Sequence, residues 1–597
     1  MTNHLPGYLV VLILSIGLLA AGCQDQATDV QVEPTIESVF VINGNGSVTV
    51  GWTGLETGIP DEIDIHRSTQ ADFSPSSSTM IGTVTGTANR FEDGQLTNGQ
   101  TYYYRLVPVD AIDGQRFSGT ATAAGIGRPF DYSQVTTISF DTHIQPIFTS
   151  SCAVSSCHVG PDAAPAPQRL SKITHNAQFS MQTWEDIFYG EDKDNSVIVP
   201  FRSSKSYVIF HANSDTLLAP VAYPHMPLAG FNLPADQIQT LMRWIDEGAR
   251  NEQGEIPFSV SPSGRLISVC ASEDLLAVID VETNFVSRYI PVGKEYNPAF
   301  QFGSPHHVKV DPQGEFFYVT LINSQELWKF SASTYELVGM LPIPFQPADL
   351  AITPTGDSVY VSNFNSTVGL VTLVNTSTMQ VLSTIPGFPP YTSRPHGIVL
   401  THDASSAYVG NVDTGNLTLI HTADNSTSPV FLDTLGSITS PAKPYLLAMT
   451  PDDRYLFVTD YAQGAENVFV FDLVLDPTKP SKIIPIGGRS IHVAITPDGS
   501  KAFVCNFDLN SVDVISIPDF TVTTIANVGK QPHGVVFTTD GLTAYVTTEN
   551  TLSPDPPHHP AFGSTGVSFV YVIDVPTLRI TRSIEVGAFG QGLSFLP

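Results

Sequence analysis

The sequence predicts a multidomain, mainly β chain that carries one α-helical segment. Charged residues make up only 14% of the chain, and glycine and proline number 45 each, a balance typical of turn-rich β structure. Apolar residues follow the strand period over residues 36 to 126, and a strand-rich unit repeats from about residue 255 onward. Between these regions, from Phe140 to about Arg250, the period is helical. At 597 residues the chain is too long for one hydrophobic core.

The N-terminus carries a short apolar run that predicts export from the cytoplasm. Leu9 to Ala21 is too short to span a bilayer comfortably, and the run ends in Leu19-Ala20-Ala21-Gly22-Cys23. This end resembles a bacterial lipobox, which implies cleavage before Cys23 and lipid on that cysteine. We therefore expect residues 1-22 to be a lipoprotein signal peptide and residues 23-35 a linker. A plain secreted form and a signal-anchored form remain alternatives.

Residues 36-128 are predicted to form a β-sandwich. The clearest half-buried strands are Ser47-Val48-Thr49-Val50-Gly51-Trp52 and Tyr102-Tyr103-Tyr104-Arg105-Leu106. Trp52, together with the leucine, turn and tyrosine of Leu96-Thr97-Asn98-Gly99-Gln100-Thr101-Tyr102, resembles a fibronectin type III domain and its tyrosine corner. The resemblance implies a spacer without chemistry of its own, which holds the next domain away from the membrane.

The segment Cys152-Ala153-Val154-Ser155-Ser156-Cys157-His158 predicts covalent haem attachment. Two thioether bonds would hold the porphyrin edge, and the histidine that directly follows the second cysteine would bind the iron as proximal ligand. The spacer of four residues, rather than the common two, enlarges the loop but keeps the Cys157-His158 step. A disulfide and a zinc site are the alternatives, although zinc would need further ligands at short spacing.

Residues 129-252 surround this motif with helical segments. A first helix at Phe140 to Phe148, a Met-Pro turn and a closing helix at Gln237 to Ala249 resemble the small cytochrome c domains fused to many large bacterial extracytoplasmic proteins. The resemblance implies Met226, which precedes a proline, as the distal iron ligand. His225 is the nearest rival, with His175 and His211 behind it, and Met226 could instead fill core space.

Two axial ligands would saturate the iron, so the site would transfer electrons and bind no substrate at the metal. Haem c is attached outside the cytoplasm, which agrees with the export signal. If Cys23 carries lipid and Cys152 and Cys157 carry haem, only Cys270 and Cys505 remain. The sequence therefore implies no disulfide framework.

The C-terminal region, residues 253-597, repeats at intervals of roughly 40 to 58 residues. Its second strands read Tyr318-Val319-Thr320, Tyr360-Val361-Ser362-Asn363, Tyr408-Val409-Gly410-Asn411, Phe457-Val458-Thr459-Asp460, Phe503-Val504-Cys505-Asn506 and Tyr545-Val546-Thr547. This pattern resembles the YVTN family of seven-bladed β-propellers. We count seven full units and a spare strand at Gly590 to Leu596, which is expected to close the ring on the first unit. Eight blades is the alternative.

Histidines recur where the inner strands of the repeat begin, so we expect them to converge at the mouth of the ring. They are His306, His307, His396, His492 and His533, with His558 and His559 in a long loop that opens on the same side. Neutral imidazole clusters suit copper, nickel or zinc, and the pattern resembles the histidine-lined propeller of copper-dependent nitrous oxide reductases. In the alternative interpretation, the histidines line a wet channel without metal. The cytochrome cd-type nitrite reductases are a second analogue, but their eight blades disagree with the repeat count.

Composition limits the partners. The chain has 57 acidic and 27 basic residues, and its formal net charge of -30 disfavours nucleic acid. We expect one covalent haem c, a lipid anchor on a bacterial membrane, and a redox partner protein or small-molecule substrate. The predicted function is electron transfer, with the propeller as a docking platform. The alternatives are a haem-fed oxidoreductase with a copper-like centre at the propeller mouth, and a cell-surface adhesion protein.

Overall fold

The computed structural model describes residues 35–54, 58–112, 114–154, 158, 179–190, 196–227, 231–364, 371–387, 393–432, 442–464, 467–557 and 566–597. The predicted signal peptide and five of the predicted site residues lie outside these ranges. Those residues are Cys23, Cys157, His175, His558 and His559. In the described part of the chain, no helix is both long enough and apolar enough to cross a membrane.

The N-terminal region forms two facing antiparallel sheets. Its strands are β1 (Ser38–Gly44), β2 (Ser47–Thr53), β3 (Glu62–Ser68), β4 (Met80–Thr85), β5 (Arg90–Gly94), β6 (Tyr102–Ile112), β7 (Gln115–Ser118) and β8 (Gly125–Gly127). One sheet has the order β1-β2-β5, and the other has the order β4-β3-β6-β7 with β8 paired to β6. Alternate side chains of β2 turn inward, so Trp52 meets Tyr104 in the shared core. Tyr102 Oη accepts a hydrogen bond of 3.2 Å from the Thr97 amide.

Short helices follow the two sheets. They are a 3-10 turn (Tyr132–Gln134), a π-helical turn (Phe140–Ile144), α1 (Gln145–Ser151), α2 (Trp184–Tyr189), a second 3-10 turn (Ser203–Lys205), α3 (Tyr207–Ala212) and α4 (Ala235–Asp246). The predicted first helix is divided, because Pro146 stands in the first turn of α1, where its missing N–H is not needed. The closing helix α4 buries Ile238, Leu241 and Ile245 on one stripe.

The helical segment shares its core with the first sheet. Phe40 of β1 packs edge to face on Phe231, with ring centroids 4.4 Å apart. Asn43 at the end of β1 donates to Ser150 Oγ at 3.3 Å, and Ser151 Oγ donates to the Val41 carbonyl at 3.1 Å. The sheets therefore hold the C-terminal end of α1, where the Cys152 to His158 segment begins.

The described residues from Arg265 onward form seven antiparallel sheets of four strands each. In chain order the strands are β9 (Arg265–Cys270), β10 (Leu275–Asp280), β11 (Phe285–Pro291), β12 (Pro305–Val310), β13 (Phe316–Leu321), β14 (Glu326–Ser331), β15 (Leu337–Pro342), β16 (Pro347–Ile352), β17 (Ser358–Asn363), β18 (Val371–Asn375), β19 (Gln380–Ile385), β20 (Pro395–Leu400), β21 (Ser406–Asn411), β22 (Asn416–His421), β23 (Ser426–Phe431), β24 (Pro444–Met449), β25 (Tyr455–Asp460), β26 (Asn467–Asp472), β27 (Lys482–Pro485), β28 (Ser490–Ile495), β29 (Lys501–Asn506), β30 (Ser511–Ser516), β31 (Val522–Ala526), β32 (Pro532–Phe537), β33 (Thr543–Thr548), β34 (Ser568–Asp574), β35 (Arg579–Val586) and β36 (Gly590–Leu596). A one-turn helix, α5 (Gly293–Tyr296), follows β11.

The sheets close into a ring. The inner strands β12, β16, β20, β24, β28, β32 and β36 contact one another in a continuous cycle. The C-terminal β36 pairs with β9, so the first sheet has the order β11-β10-β9-β36. The prediction that the spare strand closes the repeat is confirmed, as is the mainly β class. Buried apolar clusters lie between neighbouring sheets, an arrangement consistent with a β-propeller.

Each inner strand has one bulge, which spans the same two positions in every sheet. In β12 the register with β13 shifts between Pro305 and Val308, and the same shift follows Pro347, Pro395, Pro444, Ser490, Pro532 and Gly590 in the other inner strands. A bulge interrupts the in-and-out alternation of a strand. It therefore allows two consecutive side chains of each inner strand to turn towards the axis of the ring.

In four of the sheets, a hydroxyl of the second strand bonds to the backbone at the bulge. Thr320 Oγ1 accepts from the His307 amide at 3.1 Å and donates to the Ala348 carbonyl of the next sheet at 2.9 Å. Ser362, Thr459 and Thr547 bond in the same way in their own sheets. The threonine of the repeated aromatic-Val-Thr motif thus joins adjacent sheets at the axis.

Candidate functional site

The Cys152 to His158 segment begins where α1 ends. The Cys152 amide donates to the Phe148 carbonyl at 2.8 Å, which caps the helix, and the His158 amide donates back to the Cys152 carbonyl at 3.2 Å. This second bond brings the two ends of the segment together. The imidazole of His158 lies against Phe179, with ring centroids 4.4 Å apart. Cys157 is outside the described residues, so the structure covers only part of the predicted attachment motif.

The turn that carries the predicted distal ligand is fixed by His211 of α3. The Met226 amide donates to the His211 carbonyl at 2.8 Å. His211 Nδ1 donates to the Pro224 carbonyl at 2.8 Å, and burial lowers the pKa of this imidazole. His211 therefore has a structural role in the turn, whereas Met226 and His225 are both carried on it. His225 Nδ1 is buried and has no hydrogen-bond partner among the described residues.

Five of the seven predicted rim histidines meet at the axis of the ring. The centroids of His306 and His307 lie 5.0 Å apart, and those of His306 and His396 lie 5.2 Å apart. His307 stacks parallel to His492 at 6.2 Å, and His533 reaches His306 at 6.4 Å. The exposed fraction of each side chain is 8% or less. We call these five residues the histidine cluster.

Three members of the histidine cluster are anchored through Nδ1. His306 Nδ1 donates to the Ala348 carbonyl at 3.0 Å and His396 Nδ1 to the Tyr445 carbonyl at 3.3 Å. His307 Nδ1 lies 3.2 Å from the Asp349 carboxylate. Since a carbonyl oxygen only accepts, Nδ1 must carry the proton in the first two. The backbone thus sets the tautomer of these rings.

Two buried carboxyl groups lie beside the cluster, and the sequence analysis did not single them out. Asp349 Oδ1 accepts from the Leu350 amide at 2.8 Å, and Oδ2 accepts from the Ile398 amide at 3.1 Å. Burial would raise the pKa of Asp349, but His307 and these hydrogen bonds hold it below its ordinary value. Glu549 Oε1 lies 3.7 Å from His533 Nε2, and burial raises the pKa of Glu549 to about 7.

Both carboxyl groups stand at repeat positions that other kinds of residue fill in the other sheets. Asp349 is the second bulge residue of β16 and so is equivalent to His307 in β12. Glu549 directly follows β33, at a position that the other repeats fill with apolar or aromatic residues such as Phe364 and Val412. A comparison of the repeats by position, rather than a search for histidine alone, would have found them.

Burial keeps four members of the cluster neutral. It lowers the pKa of His306 to about 3 and lowers the pKa values of His396, His492 and His533 well below the ordinary range. Neutral imidazole is the form that binds metal. Across the described part of the chain, no group of three or more His, Cys, Asp or Glu side chains is arranged so that it could hold a metal ion as it stands.

Comparison with known proteins identifies no family. No protein-family model matches the chain. The uncharacterized protein YwhL of Bacillus subtilis is 23% identical over 318 residues, which cover 47% of this chain and 66% of YwhL. The chain thus spans just under two thirds of that relative's length.

Two solved structures are similar to parts of the chain. A chain of hydrazine synthase from Kuenenia stuttgartiensis matches 49% of this chain and 90% of its own length, with 17% identity and a TM-score of 0.42. A functionally unknown protein from Desulfotomaculum acetoxidans matches 56% of this chain and 98% of its own length, with 12% identity and a TM-score of 0.44. The function is therefore argued from the chain's own residues.

Proposed function

We propose that the protein is an extracytoplasmic, membrane-tethered c-type cytochrome that transfers electrons. The single observation that carries the proposal is the Cys-x4-Cys-His segment, whose ends, Cys152 and His158, are joined by a backbone hydrogen bond directly after α1. In this proposal residues 36-128 are a fibronectin type III spacer, residues 129-252 a small cytochrome c domain and residues 253-597 a seven-bladed propeller of the YVTN type. Lipid on Cys23 would provide the membrane anchor.

The residues around the segment fit a haem. Cys152 and Cys157 would hold it through thioethers, His158 would bind the iron, and Met226 is proposed on the opposite side. Apolar side chains suit the porphyrin faces, and Phe179 lies against His158, while Ala153 and Val154 of the segment pack on the helical core. When bound, haem supplies reversible one-electron transfer. The protein would attach the haem through Cys152 and Cys157 and supply His158 and Met226 as iron ligands.

The ring fits a docking role because the helical segment is fixed to it. Lys205 Nζ donates to Glu273 Oε1 at 2.7 Å, Ser196 Oγ donates to the Val286 carbonyl at 2.9 Å, and Tyr207 Oη bonds to Glu585. A partner bound to the ring would therefore keep a constant distance from the haem segment. The net charge of -30 favours a cationic partner.

The test is expression of the full chain together with haem c maturation machinery. Covalent haem is measured by haem staining after denaturing electrophoresis and by iron content. We expect one covalent haem per chain, loss of covalent attachment in the Cys152→Ser/Cys157→Ser double variant, and retention in a Cys505→Ala control. The proposal would be refuted if the wild-type chain, expressed with the maturation machinery, carried no covalent haem. It would also be refuted if the double variant retained covalent haem.

A further inference from the structure

Three histidines of the cluster present the same ring nitrogen for binding. His306, His307 and His396 each use Nδ1 to bond a backbone carbonyl or the Asp349 carboxylate. The lone pair of His306 and of His396 is therefore left on Nε2, and a neutral His307 with its proton on Nδ1 presents the same nitrogen. Metal-binding histidines in proteins nearly always hold their second nitrogen in this way, because the bond fixes both the tautomer and the orientation of the ring.

One of these nitrogens is buried without a partner. His307 Nε2 has no hydrogen-bond partner in the described part of the chain, and its side chain is only 2% exposed. A buried polar atom without a partner is destabilising, and each such atom in a folded protein calls for an explanation. A bound cation would supply the missing partner.

Two of the three ring spacings match those of imidazole ligands on one metal ion. With metal–nitrogen bonds of about 2.0 Å, two imidazoles on a tetrahedral ion have centroids about 5.2 Å apart. The ring centroid of His306 lies 5.0 Å from that of His307 and 5.2 Å from that of His396. His307 and His396 are 6.4 Å apart, so this pair must close by about 1 Å for tetrahedral binding.

His492 and His533 differ from these three in how they are held. The Nδ1 of each is buried and has no hydrogen-bond partner within the described ranges. His492 stacks parallel to His307, and His533 Nε2 faces Glu549. They lie beside the anchored rings, and among the described residues no hydrogen bond through Nδ1 fixes their orientation.

From the anchored tautomers, the unpartnered nitrogen and the spacing, we propose that His306, His307 and His396 form a binding site for one divalent ion of the zinc or copper type. Nitrogen-only ligands select these metals over magnesium and calcium. Three protein ligands leave one coordination position for water or a small ligand. Asp349 is a positioning residue that holds the ring of His307. The site requires no haem.

The test is metal binding to the tag-free full chain after chelator treatment. Zinc sulfate and copper(II) sulfate are titrated separately, and bound metal is counted by mass spectrometry after dialysis. We expect one zinc or copper per chain besides any haem iron, with at least a hundredfold weaker binding in His307→Ala and in His396→Ala. Asp349→Asn should weaken binding by roughly 10- to 100-fold. The control is His402→Ala, which removes a histidine outside the cluster that is 57% exposed.

Each outcome either supports or overturns the proposed metal site. No stoichiometric zinc or copper in a folded wild-type chain would overturn the site, and so would binding that persists in a folded His306→Ala/His307→Ala/His396→Ala variant. If an alanine variant does not fold, His307→Gln is used, since it keeps the volume but provides no imidazole nitrogen. A chain that attaches haem but binds no second metal refutes this site alone. A chain that binds the second metal without covalent haem refutes only the cytochrome proposal.

Discussion

Replacing Glu549 by glutamine should remove a pH-dependent destabilisation of the ring. The Glu549 side chain is 13% exposed, and burial raises its pKa from 4.5 to about 7. The folded chain therefore holds a proton on this carboxyl between those pH values, whereas the unfolded chain has released it. Since the folded state binds more protons, stability falls as pH rises from about 4.5 to about 7. Each unit of pKa difference corresponds to about 1.4 kcal/mol, so the full loss is about 3 kcal/mol.

Among the described residues, no neighbour offsets this charge fully. The closest imidazole, His533, is neutral because burial lowers its pKa well below the ordinary range. Arg489 acts in the opposite direction to burial but is the smaller influence. Ionised Glu549 thus remains beside a neutral ring, 3.7 Å from His533 Nε2. Glutamine has nearly the same shape and no charge, so Glu549→Gln should be more stable than the wild type above pH 7.

Urea unfolding followed by far-ultraviolet circular dichroism at pH 4, 5, 6, 7 and 8 measures the effect. The free-energy difference between Glu549→Gln and the wild type should be near zero at pH 4 and rise to about 3 kcal/mol at pH 8. Comparing the two proteins at each pH cancels the titration of the other groups. The exposed Glu336→Gln is the matched control and should show no such rise. A difference that is constant with pH, or that grows towards acid, would refute the reasoning.

Two further predictions concern the ring axis and the proposed haem. A Cβ on Gly397 would lie 2.4 Å from the Tyr445 carbonyl oxygen, whereas a Cβ on Gly94 would meet nothing within 4 Å. Gly397→Ala should therefore destabilise the ring by about 1–3 kcal/mol, with a smaller change in Gly94→Ala, as measured by urea unfolding. Met226→Ala should keep covalent haem but open an axial position, so that the reduced iron binds carbon monoxide readily; unchanged carbon monoxide binding would contradict the assignment of Met226.

The repeat could be recognised in the sequence because the same strand motif recurs at regular intervals. The aromatic-Val-Thr segments coincide with strands such as β13 and β17, which are buried along almost their whole length. The closing strand could be predicted because a closed ring needs a fourth strand for its first sheet. The helical segment was harder, since Phe140 to Phe148 has a uniform helical period but contains Pro146, and the chain divides there into a π-helical turn and α1.

The arrangement of the axis could not be predicted from periodicity alone. Regular alternation would turn one of two consecutive residues, such as His306 and His307, away from the axis. The bulge removes that restriction, and its support by Thr320 involves a carbonyl of the next sheet. This contact depends on how the sheets pack. The carboxylate beside His307 comes from the neighbouring β16 for the same reason.

Histidine is not needed to build the bulge. The first bulge position holds His306, His396 and His533 in three inner strands, but Ala348 and Tyr445 in two others with the same register shift. The backbone therefore tolerates small, aromatic and polar side chains at one geometric position. Packing alone gives no reason for five buried imidazoles around one axis, since burial opposes the charged forms of four of them. Their common property is a basic ring nitrogen, and the zinc and copper titrations test directly whether the ring uses it.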